Sequence, residues 1–494
     1  MCVVASPATL ALRDTVTHAC SLAPSADWFF GGDENGDQVG YSVGSAGDVN
    51  GDGYGEVVIG APRDGLTTDR EGVVSLFYGK QAGLPDEVDW QAGSGQRGSL
   101  FGAAVAAAGD VNGDGYDDVL IGAPAFSDGV NAKGAAFLFF GSAAGLESEP
   151  AWSTVGTQKD GLEGHAVAGA GDVNGDGYAD LIVGVPGWSA AAMSEGAAYL
   201  FFGSAGSISQ TPDWSYYGGV ASAQLGASVA GAGDVNGDGY DDILVGAPGY
   251  SVDHTGEGTI LLFLGGDTGL DPAPDWQALG GQPGARLGTS VSSAGDVNGD
   301  GYDDLLAGAP HPYAEDGNPG EAFLFYGRAP LPSQHVLLSI DHREAVQFGR
   351  AVGGSGDVDG DGYDDVLVGA YLFTFDQRQE GAAFLFYGSA GGLKTQAGWH
   401  AEGDKADTEF GYSVDVVPRL RGEGPASLVI GAPRYRQGTD PEGRAFVFYG
   451  PLSARHYFYL PLVSRQHAAA GMPVTDARQP AAREPATRSS RSEV

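Results

Sequence analysis

The string AGDVNGDGY occurs five times in this chain, with its first Asp at Asp48, Asp110, Asp172, Asp234 and Asp296, always 62 residues apart. A sixth copy, SGDVDGDGY, puts its Asp at Asp357, 61 residues further on. A second string follows each copy: GVVSLFYG ends at Gly79, GAAFLFFG at Gly141, and the series runs through Gly203, Gly265, Gly327 and Gly388 to GRAFVFYG at Gly450. That is seven copies. Trp28, Trp90, Trp152, Trp214, Trp276 and Trp399 keep the same phase, with Leu338 where one more Trp would fall. A fixed period of this length marks a chain built from stacked supersecondary units.

Each unit reads as four short strands. FGAAVAAAGD (101–110) is small and Gly/Ala-rich. DDVLIGAP (117–124) and GAAFLFFG are continuous apolar runs, as strands covered on both faces require. The stretch around each Trp is a fourth strand, and Gly and Pro interrupt every window long enough for a helix. Seven units of four strands predict an all-β fold, a seven-bladed β-propeller. Its small inner strands would crowd the axis, while the outer strands have room for Trp. An open solenoid would need atypical capping repeats, yet the first repeat is nearly ideal.

Trp28 precedes the first inner strand without a blade of its own. This predicts that residues 27–30 form the outer strand of the seventh blade and close the ring. The competing candidate is HYFYLPLV, 456–463, at the same phase after the seventh aromatic strand. The propeller is expected to cover 27–463, between a poorly defined extension (1–26) and a disordered Ala/Pro/Arg/Ser-rich tail (464–494).

The acidic strings lie between the first and second strands. Side-chain oxygens at positions 1, 3, 5 and 9, Gly at 6 and a backbone carbonyl at 7 suit a hard cation, and calcium takes six to eight oxygens in flexible geometry. The candidate ligands in the first repeat are Asp48, Asn50, Asp52, Tyr54 (backbone) and Glu56. In the second they are Asp110, Asn112, Asp114, Tyr116 and Asp118, and in the third Asp172, Asn174, Asp176, Tyr178 and Asp180. The fourth offers Asp234, Asn236, Asp238, Tyr240 and Asp242, and the fifth Asp296, Asn298, Asp300, Tyr302 and Asp304. The sixth offers Asp357, Asp359, Asp361, Tyr363 and Asp365. An EF-hand is excluded: Ile59 and Ile121 stand where its twelfth-position Glu belongs, and the flanks are strand-like. A plain hairpin turn needs two such residues rather than several regularly spaced oxygens. The expectation is six calcium ions, one in each of blades 1–6. In the seventh repeat the positions hold Arg419, Arg421, Glu423 and Ser427, so no ion is expected there and an Arg–Glu pair is expected to hold the loop.

Composition now has a place in the argument. The chain has 494 residues, 84 of them Gly, and a formal charge of −39. Such a field excludes a nucleic-acid binder. No apolar run reaches the ~20 residues of a membrane helix. With an affinity typical of extracellular modules, Kd ~0.1 mM, each site adds about 1.4 kcal/mol at about 1 mM calcium, roughly 8 over six sites. Cytosolic calcium would add essentially nothing, and nineteen carboxylates in empty loops would repel one another. An extracellular or cell-surface setting is therefore expected. Residues 1–26 make a poor signal peptide, interrupted by Pro7 and Arg13, and pairing of Cys2 with Cys20 is left open.

Phe101-Gly102, Phe348-Gly349 and Phe410-Gly411, each followed by Gly-Ala-Pro or a close variant (60–62, 122–124, 246–248, 308–310, 431–433; Gly184-Val185-Pro186; Gly369-Ala370-Tyr371), resemble FG-GAP repeats. The resemblance covers about 27–463. It implies the propeller at the N-terminus of integrin α subunits and in many bacterial surface or secreted proteins, with a calcium loop between the two halves of the motif and an N-terminal strand closing the last blade. Six candidate loops, no inserted ligand domain and no leg domains depart from integrins and are closer to a free-standing bacterial-type member.

The face opposite the calcium loops carries Phe126, Trp188, Tyr250, Phe373 and Tyr435 in phase, with Pro312 beside Tyr313 in the fifth repeat and Asp64 in the first. Such a rim is suited to stacking sugars or caging a cation; the alternative is that the rings pack under their own loops. The family resemblance implies that this face meets partner and ligand. The expected function is recognition or adhesion by a monomer, toward an extracellular protein or glycan. A structural spacer and a propeller hydrolase or lyase are the alternatives. The enzyme reading has only the out-of-phase His165, His254, His311, His342 and His400, with no nucleophile motif. A non-repeating cluster of ionisable groups at the channel mouth would favour it.

Overall fold

The computed structural model describes residues 26–452, except 33, 35, 312–318, 332–334, 341–345, 376, 437 and 439–440, together with the backbone of 474–476. Cys2, Cys20, Tyr313, His342 and the segment 456–463 lie outside the described residues.

Seven antiparallel sheets follow one another along the chain. Blade 2 is typical, with strands Ala104–Gly109, Asp118–Ala123, Ala135–Phe139 and Trp152–Val155 in that spatial order. Its second strand is buried at every residue, which explains the unbroken apolar runs in the sequence. Inner strands touch those of the neighbouring blades around the axis, and the last meets the first. No helix occurs among the described residues, and none is long and apolar enough to cross a membrane.

Alternate residues of one strand face different neighbours, as the two-residue period of a strand dictates. In blade 1, Val58, Val74 and Leu76 pack with Val119, Ile121 and Phe139 of blade 2. Val57, Ile59 and Phe77 of the same blade pack with Val429, Ala445 and Val447 of blade 7. The cores therefore lie between blades, and each blade helps to build two of them.

The ring is closed by the N-terminal strand. Trp28–Gly31 is the outer strand of blade 7, pairing antiparallel with Arg444–Phe448 in the register Trp28↔Val447 to Gly31↔Arg444. The Trp phase explains the choice. Each outer-strand Trp packs edge-on against the Phe that ends the next blade's third strand: Trp90 on Phe139, Trp152 on Phe201, Trp214 on Phe263. In these three the indole N–H donates to a carbonyl 57 residues ahead, as from Trp90 to Glu147 at 3.0 Å. Trp28 does the same across the closure, packing on Phe77 at 4.8 Å and donating to Pro85 at 3.0 Å. Blade 4 differs in having a fifth strand, Val474–Asp476, paired with Trp276–Ala278. These three residues belong to the segment whose composition reads as a disordered tail.

Candidate metal centres

In blades 1–5 the acidic loop leaves its inner strand through an irregularity just before position 1, for example between Ala107 and Gly109 in blade 2. The loop then winds around the carboxylate at position 1. Asp110 Oδ1 accepts the N–H groups of Gly113 and Asp114 at 2.7 and 3.0 Å, and Oδ2 accepts Gly115 N–H at 2.8 Å. Asn112 Oδ1 accepts Asp114 N–H at 2.9 Å, and Asp114 Oδ1 accepts Tyr116 N–H at 3.1 Å. Position 9 lies beneath. Asp118 is fully buried, accepting Val111 N–H at 3.0 Å and Gly141 N–H at 2.8 Å. The Val at position 2, such as Val111, is itself fully buried and anchors the loop.

The same winding recurs in the other five loops. Asp48, Asp176, Asp238, Asp300 and Asp361 take backbone donors as their blade 2 counterparts do. Position 9 is likewise buried at Glu56, Asp180, Asp242, Asp304 and Asp365. Ligand oxygens of Asp48, Asp52 and Glu56 lie within 4.8 Å of one another, as do those of Asp357, Asp359 and Asp361.

Electrostatics single out position 9. Burial, followed by the neighbouring loop carboxylates, pushes Asp118, Asp180, Asp304 and Asp365 up to about 7, and Asp242 and Glu56 up to about 8; backbone N–H donors offset part of this. Two buried acceptors at proposed ligand positions, Glu56 Oε1 and Asn298 Oδ1, have no hydrogen-bond partner. Buried carboxylates crowded together with orphaned oxygens are the donor set of a hard cation. On this test the loops fit calcium.

The loops also interlock around the ring. The N–H at position 8 of each loop donates to the position 1 carbonyl of the preceding one, from Asp117 to Asp48 (3.2 Å) through Asp241 to Asp172 (3.2 Å) and on to Gly55 with Arg419 (3.0 Å). Where position 8 is Asp, its carboxylate adds a second bond: Asp117 accepts Asp48 N–H at 2.7 Å, and Asp241 accepts Asp172 N–H at 2.8 Å. The Tyr ring at position 7 lies against the preceding loop's Gly at position 4. A Cβ on Gly113 would come within 2.5 Å of the Tyr178 ring, and its φ is +75°, so both space and backbone demand glycine there.

Blade 7 corrects one expectation. Among the described residues no ion pair joins Arg419 or Arg421 to Glu423. Arg421 instead lies 5.1 Å over the Tyr449 ring and donates to the Gln81 carbonyl at 3.3 Å.

On the opposite face the predicted rim aromatics turn inward. Phe373 and Tyr435 are each 4 % exposed. Phe126, Phe373 and Tyr435 pack on Phe137, Phe384 and Phe446 of their own third strands at 5.4 to 5.6 Å. Trp188 sits beside Tyr199 and Tyr217. Tyr250 lines a cleft with Tyr216, Leu225 and Gln277. Tyr435 does cage cations, but the chain's own: Arg444 at 4.1 Å and Lys405 at 4.4 Å.

A second set of carboxylates was missed in the sequence. Glu71, Glu195, Glu257 and Glu380, each just before the third strand, are buried and gather the backbone of the preceding loop. Glu195 accepts from Ala190 and Ala191 at 2.7 and 2.8 Å, and Glu257 from Val252, Asp253 and His254. Their signal was an in-phase Glu-Gly pair.

The family described as FG-GAP repeat matches at residues 39–77, 101–139, 164–201, 225–263, 287–325 and 348–386. Among curated proteins the chain is 30 % identical to integrin alpha-5 of Xenopus laevis over 242 residues, 47 % of this chain and 22 % of that protein. It is 36 % identical to integrin alpha pat-2 of Caenorhabditis briggsae over 232 residues, 42 % of this chain and 18 % of the relative. Phosphatidylinositol-glycan-specific phospholipase D of Bos taurus is 30 % identical over 400 residues, 71 % of this chain and 46 % of the relative. The chain thus spans about a fifth of these integrin subunits and under half of the phospholipase. Six matched repeats on a ring of seven blades place the chain in the FG-GAP repeat family.

Proposed function

We propose that this propeller is an extracellular calcium-binding recognition module. Six ions, one in each loop of blades 1–6, brace one face, and the opposite face meets a protein or glycan ligand. The observation carrying the calcium reading is the loop of blade 1: three convergent carboxylates, one fully buried with an oxygen lacking any partner. A buried uncompensated charge is strongly destabilising, and a divalent cation removes that penalty. The residues assigned to hold it are those at positions 1, 3, 5, 7 and 9. Family membership and the integrin relatives support the recognition half of the reading. The extracellular setting follows from the calcium concentration the loops need.

The test is a count. Equilibrium dialysis of the purified chain against calcium, read by atomic emission, is expected to give about six ions per chain. Two ions or fewer would refute the assignment.

A further inference from the structure

Six of the seven loops on the acidic side repeat, so the places on the other face that do not repeat are informative. The residue immediately before each inner strand sits at the axis, at the end away from the acidic loops. In blades 2 and 4 it is Ala103 and Ala227. Elsewhere it is Tyr41, His165, Thr289, Arg350 or Tyr412. A position that only had to let strands converge would be small in every blade.

The side chains from three adjacent blades, 6, 7 and 1, come together at the mouth of the channel. The Tyr41 and Tyr412 rings lie 5.1 Å apart at 46°, and Tyr371 stands edge-on to Tyr412 at 5.4 Å. The Arg350 guanidinium lies 5.2 Å over the Tyr412 ring. Desolvation by the surrounding chain, and after it the Arg350 charge three blades away, lower the imidazole of solvent-exposed His165 below its ordinary value. Among the described residues no carboxylate pairs with Arg350, in a chain whose acids outnumber its bases 64 to 25. The ring holds the guanidinium in place while no carboxylate takes up its donor fork, an arrangement suited to bidentate recognition of a carboxylate.

We propose that the axial mouth binds a sugar bearing a single carboxylate, with Arg350 taking the carboxylate and the tyrosines offering ring faces and hydroxyls. Three tyrosines beside the cation match the apolar face of a pyranose ring better than a bare inorganic anion. One arginine on a body of charge −39 favours a ligand with one charge over a polyanion. The assignment deepens the recognition reading and rests on it, but it does not require the calcium assignment.

The test is calorimetric titration of the full chain with methyl β-glucuronide, methyl β-glucoside and acetyl-aspartate amide, in calcium and in chelator, at a temperature where both forms are folded. The glucuronide is expected to bind at least tenfold tighter than either comparator. Arg350→Gln should lose at least tenfold and Arg350→Lys part of that, with unchanged melting curves. Equal binding of glucuronide and glucoside, preference for the aspartate, or full binding by Arg350→Gln would each overturn the proposal. Failure of the calcium reading would show instead as no difference in melting between calcium and chelator, with glucuronide binding intact.

Discussion

The loop of blade 7 and the six acidic loops hold the same place in the ring with different chemistry. Both are tied to their neighbours by one backbone hydrogen bond: Arg419 accepts from Gly55 at 3.0 Å as Asp48 accepts from Asp117 at 3.2 Å. Both carry a glycine at position 4 beside the next blade's Tyr, since Gly422 lies against the Tyr54 ring as Gly51 lies against Tyr116. Blade 7 nonetheless has Arg at positions 1 and 3 and Ser at 9. Acids at positions 1, 3 and 9 are therefore not needed to place or shape such a loop. Where they occur in threes and fours they impose a burial cost that the fold does not require, the cost that the proposed cation would offset.

The comparison breaks first on chelation. Removing calcium is expected to destabilise the chain by roughly 8 kcal/mol, six sites at about 1.4 each, lowering Tm by about 5–10 °C for a domain of this size. An unchanged Tm in chelator would erase the distinction between the two kinds of loop.

Closure of blade 7, whose loop lacks acids at positions 1, 3 and 9, depends on packing instead. Trp28→Ala, at a site 7 % exposed, should cost about 3–5 kcal/mol in urea unfolding, with or without calcium. A loss seen only in calcium would mean that the closing strand is held through the metal loops.

Protonation sharpens the contrast. The position 9 carboxylates lie above their unfolded values without metal, so the folded apo chain binds more protons than the unfolded one. Its stability should fall as pH rises from about 4 through about 8, and saturating calcium should flatten or reverse that slope. Asp415 provides an internal control away from the loops. Its carboxylate, half-buried in the inner strand of blade 7 and accepting Ser45 N–H at 2.9 Å, is pushed up to about 6 by desolvation among the inner strands. Asp415→Asn should stabilise the chain at pH 8 by on the order of 2 kcal/mol and leave it unchanged at pH 4, whether or not calcium is present.

The smallest effect is the most local. Asp114→Ala should remove one ion from the dialysis count and about 1.4 kcal/mol of calcium-dependent stability. Glu423→Ala, at the same position in blade 7, should change neither. Equal losses would mean that the acids act through loop shape.

What the sequence made legible was whatever repeats locally. The period gave the blades, strand composition gave their order, and the phase of Trp28 gave the closure. Contacts between blades were hidden because they join residues about one repeat apart. Asp117 sits in its own motif as an unremarked eighth residue, and only the ring shows that it caps Asp48, 69 positions away. The rim aromatics apart from Tyr313 share one phase, but exposure cannot be read from phase, and Phe373 and Tyr435 are buried against their own third strands. The axial cluster escaped because Tyr41, His165, Arg350 and Tyr412 are unlike one another; the axis that unites them exists only in the closed ring.

That closure also orders events in time. Asp27 accepts the N–H of Tyr449, 422 residues downstream. A ribosome adding about 5–20 residues per second needs roughly 20–80 s to cover that distance. Throughout that interval the strand at 28–31 is an unpaired edge, and blade 1 lacks the neighbour against which half its core packs. Each newly emerged blade can shelter the one before it, but the first is sheltered last. A chain stalled within its final blade would expose both ends of an open arc, each complementary to the other end of a second copy.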